Sequence, residues 1–143
     1  MSEIEFHTGV ADKLGFVCRL LRKAVARQAR LVVHGDAPDL QRLDQLLWTF
    51  DSLGFVPHAV CRPGLGDGAL LRHTPVWLCS EPAQAPHHDV LVSLGPATAP
   101  GFEAFARVIE VISTSPEDVQ AGRSRWKYYA ARGYSIRHHE GGQ

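Results

Sequence analysis

Apolar and polar positions repeat with two different periods along the 143 residues, and the alternation between them defines the elements. Ile4 to Phe6 opens as a short strand. From Asp12 the period changes: Leu14, Val17, Leu20, Leu21, Ala24 and Val25 recur at three and four spacing, with Arg19, Arg22, Lys23 and Arg27 on the opposite side, which predicts an amphipathic helix. Arg30 to His34 is a compact β-branched run ended by Gly35-Asp36, the pattern of a buried parallel strand. Asp36, Pro38 and Asp39 then signal a helix start, and Leu40, Leu43, Leu46, Leu47 and Phe50 carry the helix on.

Pro57 confines the next extended segment, Gly54 to His58, to an edge or a turn. Gly64 to Gly68 reads as a loop, and Val76–Cys79 and Asp89–Leu94 as strands separated by a Pro- and His-rich loop from Glu81 to His88. Phe102 to Phe105 turns once before a last clear strand, Arg107–Ser113. Ser115-Pro116-Glu117-Asp118 supplies an N-cap, a proline at the first helical position and an acidic side chain placed to reach back to the cap amide, while Gly133 closes the helix. Strands alternating with capped helices imply an α/β fold: one domain over residues 1–137, a mostly parallel sheet flanked by helices, with residues 138–143 as a flexible tail.

Composition narrows the function more than the fold. Fifteen Lys and Arg balance fifteen Asp and Glu, so the formal net charge is zero, which argues against coating nucleic acid through bulk electrostatics. Cys18, Cys61 and Cys79 are widely spaced and never form C-x-x-C, so neither a disulfide framework nor a zinc ribbon is indicated and a reducing cytoplasm is the economical reading. No leader pattern and no apolar run of membrane length is present, which predicts no membrane association.

Catalytic and cofactor chemistry is equally thin. The α/β pattern invites a nucleotide, yet there is no Gly-x-x-x-x-Gly-Lys-Ser/Thr, and His7 to Ala11 lacks the glycine spacing of a dinucleotide turn. His87-His88-Asp89 and His138-His139-Glu140 carry metal-ligand residue types, but adjacent residues of an extended chain point to opposite sides, so each supplies one ligand at most; no metal and no cofactor is expected. Asp44, Asp51 and His58 are conceivable acid/base groups without a nucleophile in a recognisable elbow, so the chain reads as non-catalytic.

Surfaces remain. Helical spacing puts Arg123, Trp126 and Lys127 on one face with Ala130 beside them, suited to an acidic, apolar-tipped ligand, whereas Tyr129 falls off that face and is a core candidate. A cation-rich helix end also complements the dipole, and aromatics at this spacing are commonly core. Trp48 and Phe50, followed by Leu53 and Phe55, hold more large apolar area than one small face needs, and Trp48 and Phe55 are interface anchors if exposed.

The run Leu43 to His58, the strands Asp89–Leu94 and Arg107–Ser113, and the ending Arg123-x-Arg-Trp-Lys-Tyr-Tyr-x-x-x-Gly-Tyr134 together resemble the chi subunit of bacterial DNA polymerase III, with the elements in order over nearly the whole chain. The resemblance implies a nucleotide-binding-like topology without a nucleotide site and a non-catalytic accessory subunit of the replicase clamp loader. It also implies two protein partners. One is the psi subunit, where present, with a repair helicase as a further candidate, contacted through Trp48 and Phe55. The other is the acidic C-terminal tail of single-stranded DNA-binding protein, ending in Asp residues, Ile-Pro and a terminal Phe, so that DNA is met indirectly. On this resemblance Arg123 and Lys127 meet the carboxylates, Trp126 walls the slot for the Phe ring, and Gly133 and Tyr134 line its far side. The acidic first turn, Glu117 to Gln120, and Trp126, where a Tyr is common, depart from the family's pattern. Direct binding of single-stranded nucleic acid by the same helix, with Trp126 stacking on bases, is the alternative.

Overall fold

The computed structural model describes residues 2–49, 56–60, 74–82 and 85–141. Seven strands, β1 (Glu3–Val10), β2 (Leu31–His34), β3 (His58–Val60), β4 (Val76–Cys79), β5 (Val90–Ser93), β6 (Arg107–Ser113) and β7 (Ile136–Glu140), form one sheet in the order β3-β4-β2-β5-β6-β1-β7. Every pairing is parallel. Three helices, α1 (Lys13–Ala26), α2 (Ala37–Thr49) and α3 (Pro116–Ala131), and a 3-10 turn at Phe102–Ala104 complete the described residues. The α/β class, the parallel sheet and its flanking helices follow the hydrophobic pattern closely. None of these helices is long and apolar enough to cross a membrane.

Two cores lie on either side of the sheet because strand side chains alternate. Leu31, Val33, Val92, Ile109 and Val111 face α1 and α2, meeting Val17, Leu21, Leu40, Leu43 and Leu47. Val32, Leu91, Val108, Ile112 and Phe6 face the other way, toward Phe102, Phe105 and Tyr129. Cys18 is a free thiol buried in the first core, where loss of solvation raises its pKa to about 11, so it is inert. Cys79 departs from the expectation of no disulfide: it is disulfide-bonded.

The direction of winding changes between β2 and β5, the position at which open α/β sheets usually bind ligands. Here the chain packs its own groups. Leu94 lies so close to Gly35 that a Cβ there would stand 3.1 Å from it, and Lys13 Nζ donates to Leu94 O at 2.6 Å.

Two local expectations change. Residues 138–140, assigned to a flexible tail, belong to β7, which pairs with β1 from Ile4↔Ile136 to Thr8↔Glu140. Its side chains from Arg137 onward are exposed, so an edge strand of this kind carries polar residues and lacks the apolar alternation that reveals a strand. The capping box at α3 is not reciprocal. Ser115 Oγ accepts from Asp118 N at 3.4 Å, but the Asp118 carboxylate turns to Ser113 N at 2.7 Å and Lys13 Nζ at 2.8 Å. Burial raises the Asp118 pKa, but the hydrogen bonds from Lys13 and Ser113 outweigh it and leave the group below its ordinary value.

Candidate protein-interaction groove

Helix α3 is held on the sheet by one face. Asp118, Gly122, Arg125 and Tyr129 recur at four, three and four spacing and all point inward. Gly122 lets the helix sit close to the sheet: a Cβ would stand 2.7 Å from Ile112 Cδ1 and force that side chain to shift. Arg125 is 2% exposed. Its Nε donates to Glu110 Oε1 at 2.8 Å and its Nη1 to Pro96 O at 2.9 Å, while Tyr129 Oη donates to Glu110 Oε2 at 2.7 Å. Burial first, then the negative charge of Glu110, pushes the Tyr129 phenol far above its usual range and keeps it a donor. Gly95, at φ +77°, makes room for the guanidinium, since a Cβ would fall 2.5 Å from Nη1.

The neighbouring face of α3 is thereby placed over the edge of the sheet, and a groove of about 550 Å³ opens between α3, β1 and β7. Phe6 and Ile112 form its floor and Trp126 its wall, with Val119 and Gly122 on the helix side and Thr8, Gly9, His138 and Glu140 on the strand side. The indole of Trp126 is half-buried, 4.9 Å from the Phe6 ring and 5.5 Å edge-on to His138, so it is fixed in place yet still offers a face to the groove. His138 is oriented in turn by Thr8 Oγ1, 2.7 Å from its Nε2.

Arg123 and Lys127 stand exposed on the rim. Among the described residues neither is held in an ion pair or a side-chain hydrogen bond. Arg132, one turn further on, is engaged instead, with its guanidinium 3.5 Å from the centre of the Tyr128 ring. Two uncommitted cations beside an aromatic wall and an apolar floor suit a ligand with carboxylates at one end and a ring or aliphatic group at the other.

Of the five residues expected at this site, Arg123, Trp126 and Lys127 come together. Gly133 and Tyr134 do not line the groove. Gly133, at φ +82°, closes α3: its N donates to Ala130 O at 3.1 Å and Tyr134 N to Tyr129 O at 3.2 Å, a Schellman ending. That turn carries Tyr134 against Phe102 and Tyr129, at ring distances of 5.6 and 6.1 Å, on the core side of the helix. Sequence reasoning missed the strand side. Phe6 with Thr8, and His138 with Glu140, are i, i+2 pairs that share a face once β1 and β7 are known to be adjacent. A glycine inside an otherwise good helix, Gly122, was the available sign of close packing.

A second surface lies on the opposite edge of the sheet. Trp48 is 62% exposed at the end of α2, its indole 5.2 Å edge-on to the His58 ring. His58 Nε2 lies 2.9 Å from Asp44 Oδ1, and His58 Nδ1 lies 2.7 Å from Val56 O, so the supposed acid/base pair braces the platform beneath Trp48. Phe55 and Asp51 lie outside the described residues.

Residues 1–137 match the family of the DNA polymerase III chi subunit, HolC. The chain is 30% identical over 145 residues to the DNA polymerase III subunit chi of Pseudomonas aeruginosa, covering 97% of this chain and 96% of that one. It is 28% identical over 131 residues to the protein of the same name from Escherichia coli, covering 87% and 86%. The parallel α/β fold, the capped and basic-aromatic α3 and the similarity along almost the full length agree: the chain belongs to the DNA polymerase III chi subunit family, a family of bacterial DNA-replication proteins.

Proposed function

We propose that this protein is a non-catalytic accessory subunit of the bacterial replicase clamp loader, working in the cytoplasm as an adaptor. Its α3 groove captures the acidic, Phe-terminated C-terminal tail of single-stranded DNA-binding protein. The observation that carries this reading is the pair of unpartnered cations, Arg123 and Lys127, on the rim of an apolar slot walled by Trp126. A chain-terminal carboxylate next to a phenyl ring needs an Arg fork and an apolar slot together, and the preceding Asp side chains need a looser positive field. Glu140 at the strand side repels carboxylates and so favours one orientation, with the charged residues of the tail along the helix rim.

The exposed Trp48 edge is the docking face for the psi subunit, or for a repair helicase in its place, with Phe55 as its second anchor. Contact with DNA is then indirect.

A short Asp-rich peptide ending in Ile-Pro-Phe is expected to bind the purified protein one to one, with affinity that falls as salt is raised. Amidating its C-terminus removes the charge that the Arg fork reads, and a charge-assisted hydrogen bond contributes about 1.5–3 kcal/mol, so the amide should bind roughly tenfold or more weakly. Calorimetric titration of the two peptides measures the difference. Equal affinities, or strong and steeply salt-dependent binding of an oligonucleotide in the absence of peptide, would favour direct nucleic-acid binding over the adaptor reading.

A further inference from the structure

On the α1 side of the sheet, away from the groove, Glu5, His7 and His139 converge. Glu5 and His7 are two apart on β1 and share a face, and His139 is the register partner of His7 on β7. His139 Nε2 lies 3.0 Å from Glu5 Oε1 and His7 Nε2 lies 3.7 Å from Glu5 Oε2, and one ligand atom from each of the three residues falls within 4.8 Å of the others. The two imidazoles are stacked, with centroids 4.8 Å apart and planes at 18°.

We propose that Glu5, His7 and His139 form a binding site for one divalent transition-metal ion, with zinc the best match. Four-coordinate zinc with bonds of about 2.0–2.2 Å sets its ligand atoms about 3.3–3.6 Å apart. The three ligand atoms here lie within 4.8 Å of one another, so side-chain adjustment brings them to that spacing. Two imidazole nitrogens and one carboxylate oxygen suit zinc, and hard cations such as magnesium and calcium take oxygen ligands instead.

The surroundings fit a ligand set. Arg107 Nη2 holds Glu5 Oε2 at 2.6 Å and fixes the carboxylate while Oε1 stays beside His139, the outer-shell arrangement common around metal-bound carboxylates. The ring of His7 lies 5.4 Å from that of Phe16, which restricts its rotation. An adjoining cavity of about 350 Å³, lined by His7, His139 and Glu140, leaves the fourth position open to water. Arg19, Arg22 and Lys23 line the same cavity, and their charge keeps the affinity moderate. Bound metal clips the edge strand β7 to β1 and so steadies the strand that carries His138 and Glu140 into the groove.

The test is calorimetric titration of tag-free, chelator-stripped protein with zinc chloride, alongside thermal unfolding with and without zinc and the visible spectrum of the cobalt-loaded form. One ion per chain is expected, with a raised unfolding temperature because the ion binds the folded state. His139→Asn and His7→Asn should each weaken binding about tenfold or more, as loss of even an outer-shell partner commonly does. His139 is largely exposed, so its variant keeps the fold if the His7 variant does not. His138→Asn, one residue away on the other side of β7, should bind zinc as the parent does. No measurable binding, binding unchanged in His139→Asn, or binding lost only in His138→Asn would overturn the site.

Discussion

Arg125→Met is expected to destabilise the fold by about 3–5 kcal/mol, the cost of leaving one member of a buried ion pair without its partner. Glu110 is fully buried, and its two side-chain hydrogen bonds to α3 come from Arg125 Nε and Tyr129 Oη. With the guanidinium gone, the carboxylate keeps only the Tyr129 hydroxyl and is left in the core without its counter-charge. Urea denaturation of the variant and parent measures the loss. Glu110→Gln together with Arg125→Met removes both charges, and the double variant should recover part of the deficit, so that the two single effects do not add. A single-variant loss under about 1 kcal/mol would mean that α3 is anchored by apolar packing alone.

The second large effect is on the ligand. Arg123→Ala and Trp126→Ala should each reduce binding of the Asp-rich, Phe-terminated peptide about 30-fold or more, the effect of truncating an interface hot spot worth at least 2 kcal/mol. Arg123 is exposed, so its variant should keep the parent's stability. Trp126 packs on Phe6, and its variant should unfold at slightly lower denaturant as well as lose the peptide. Lys127→Ala should have a smaller effect, since a lysine at a rim adds a screened point charge without a fork. Trp48→Ala, on the far edge of the sheet, should leave peptide affinity unchanged. Loss of binding in Trp48→Ala with retention in Arg123→Ala would move the ligand to the other face.

Most of the fold is legible in the residue pattern, because a parallel sheet covered on both faces needs continuous apolar strands between amphipathic helices. Leu31 to His34 and Val76 to Cys79 are of that kind, and Arg107 to Ser113 is apolar apart from its two ends and Glu110. The edge strand β7 is not, since solvent on its exposed side removes the alternation that would announce it. Half of the groove was hidden for the same reason: its strand side comes from β1 and β7, brought together by a pairing between residues more than 130 positions apart.

The helix side shows what spacing does and does not decide. Arg123 and Arg125 are the same residue type two positions apart, hence about 200° apart around the helix. One is on the rim and the other is sealed beneath it, bound to Glu110. Spacing placed Arg123 with Trp126 and Lys127, but only the position of Glu110 on β6 reveals that Arg125 is structural. Gly133 and Tyr134 illustrate the reverse case, where a helix-ending motif serves closure and core packing, away from the groove.

The three tryptophans offer the most direct test of where the tail docks. Trp126 lines the groove, Trp77 is 4% exposed in the core and Trp48 stands on the opposite edge, so their indole N–H resonances report three separate places. In a nitrogen-15 NMR titration with the Phe-terminated peptide, the Trp126 indole signal and the amides of Gly9, Gly122 and Lys127 should shift together and saturate at one equivalent, while Trp48 and Trp77 stay still. Shifts centred on Trp48, or a silent Trp126, would contradict the groove as the binding site.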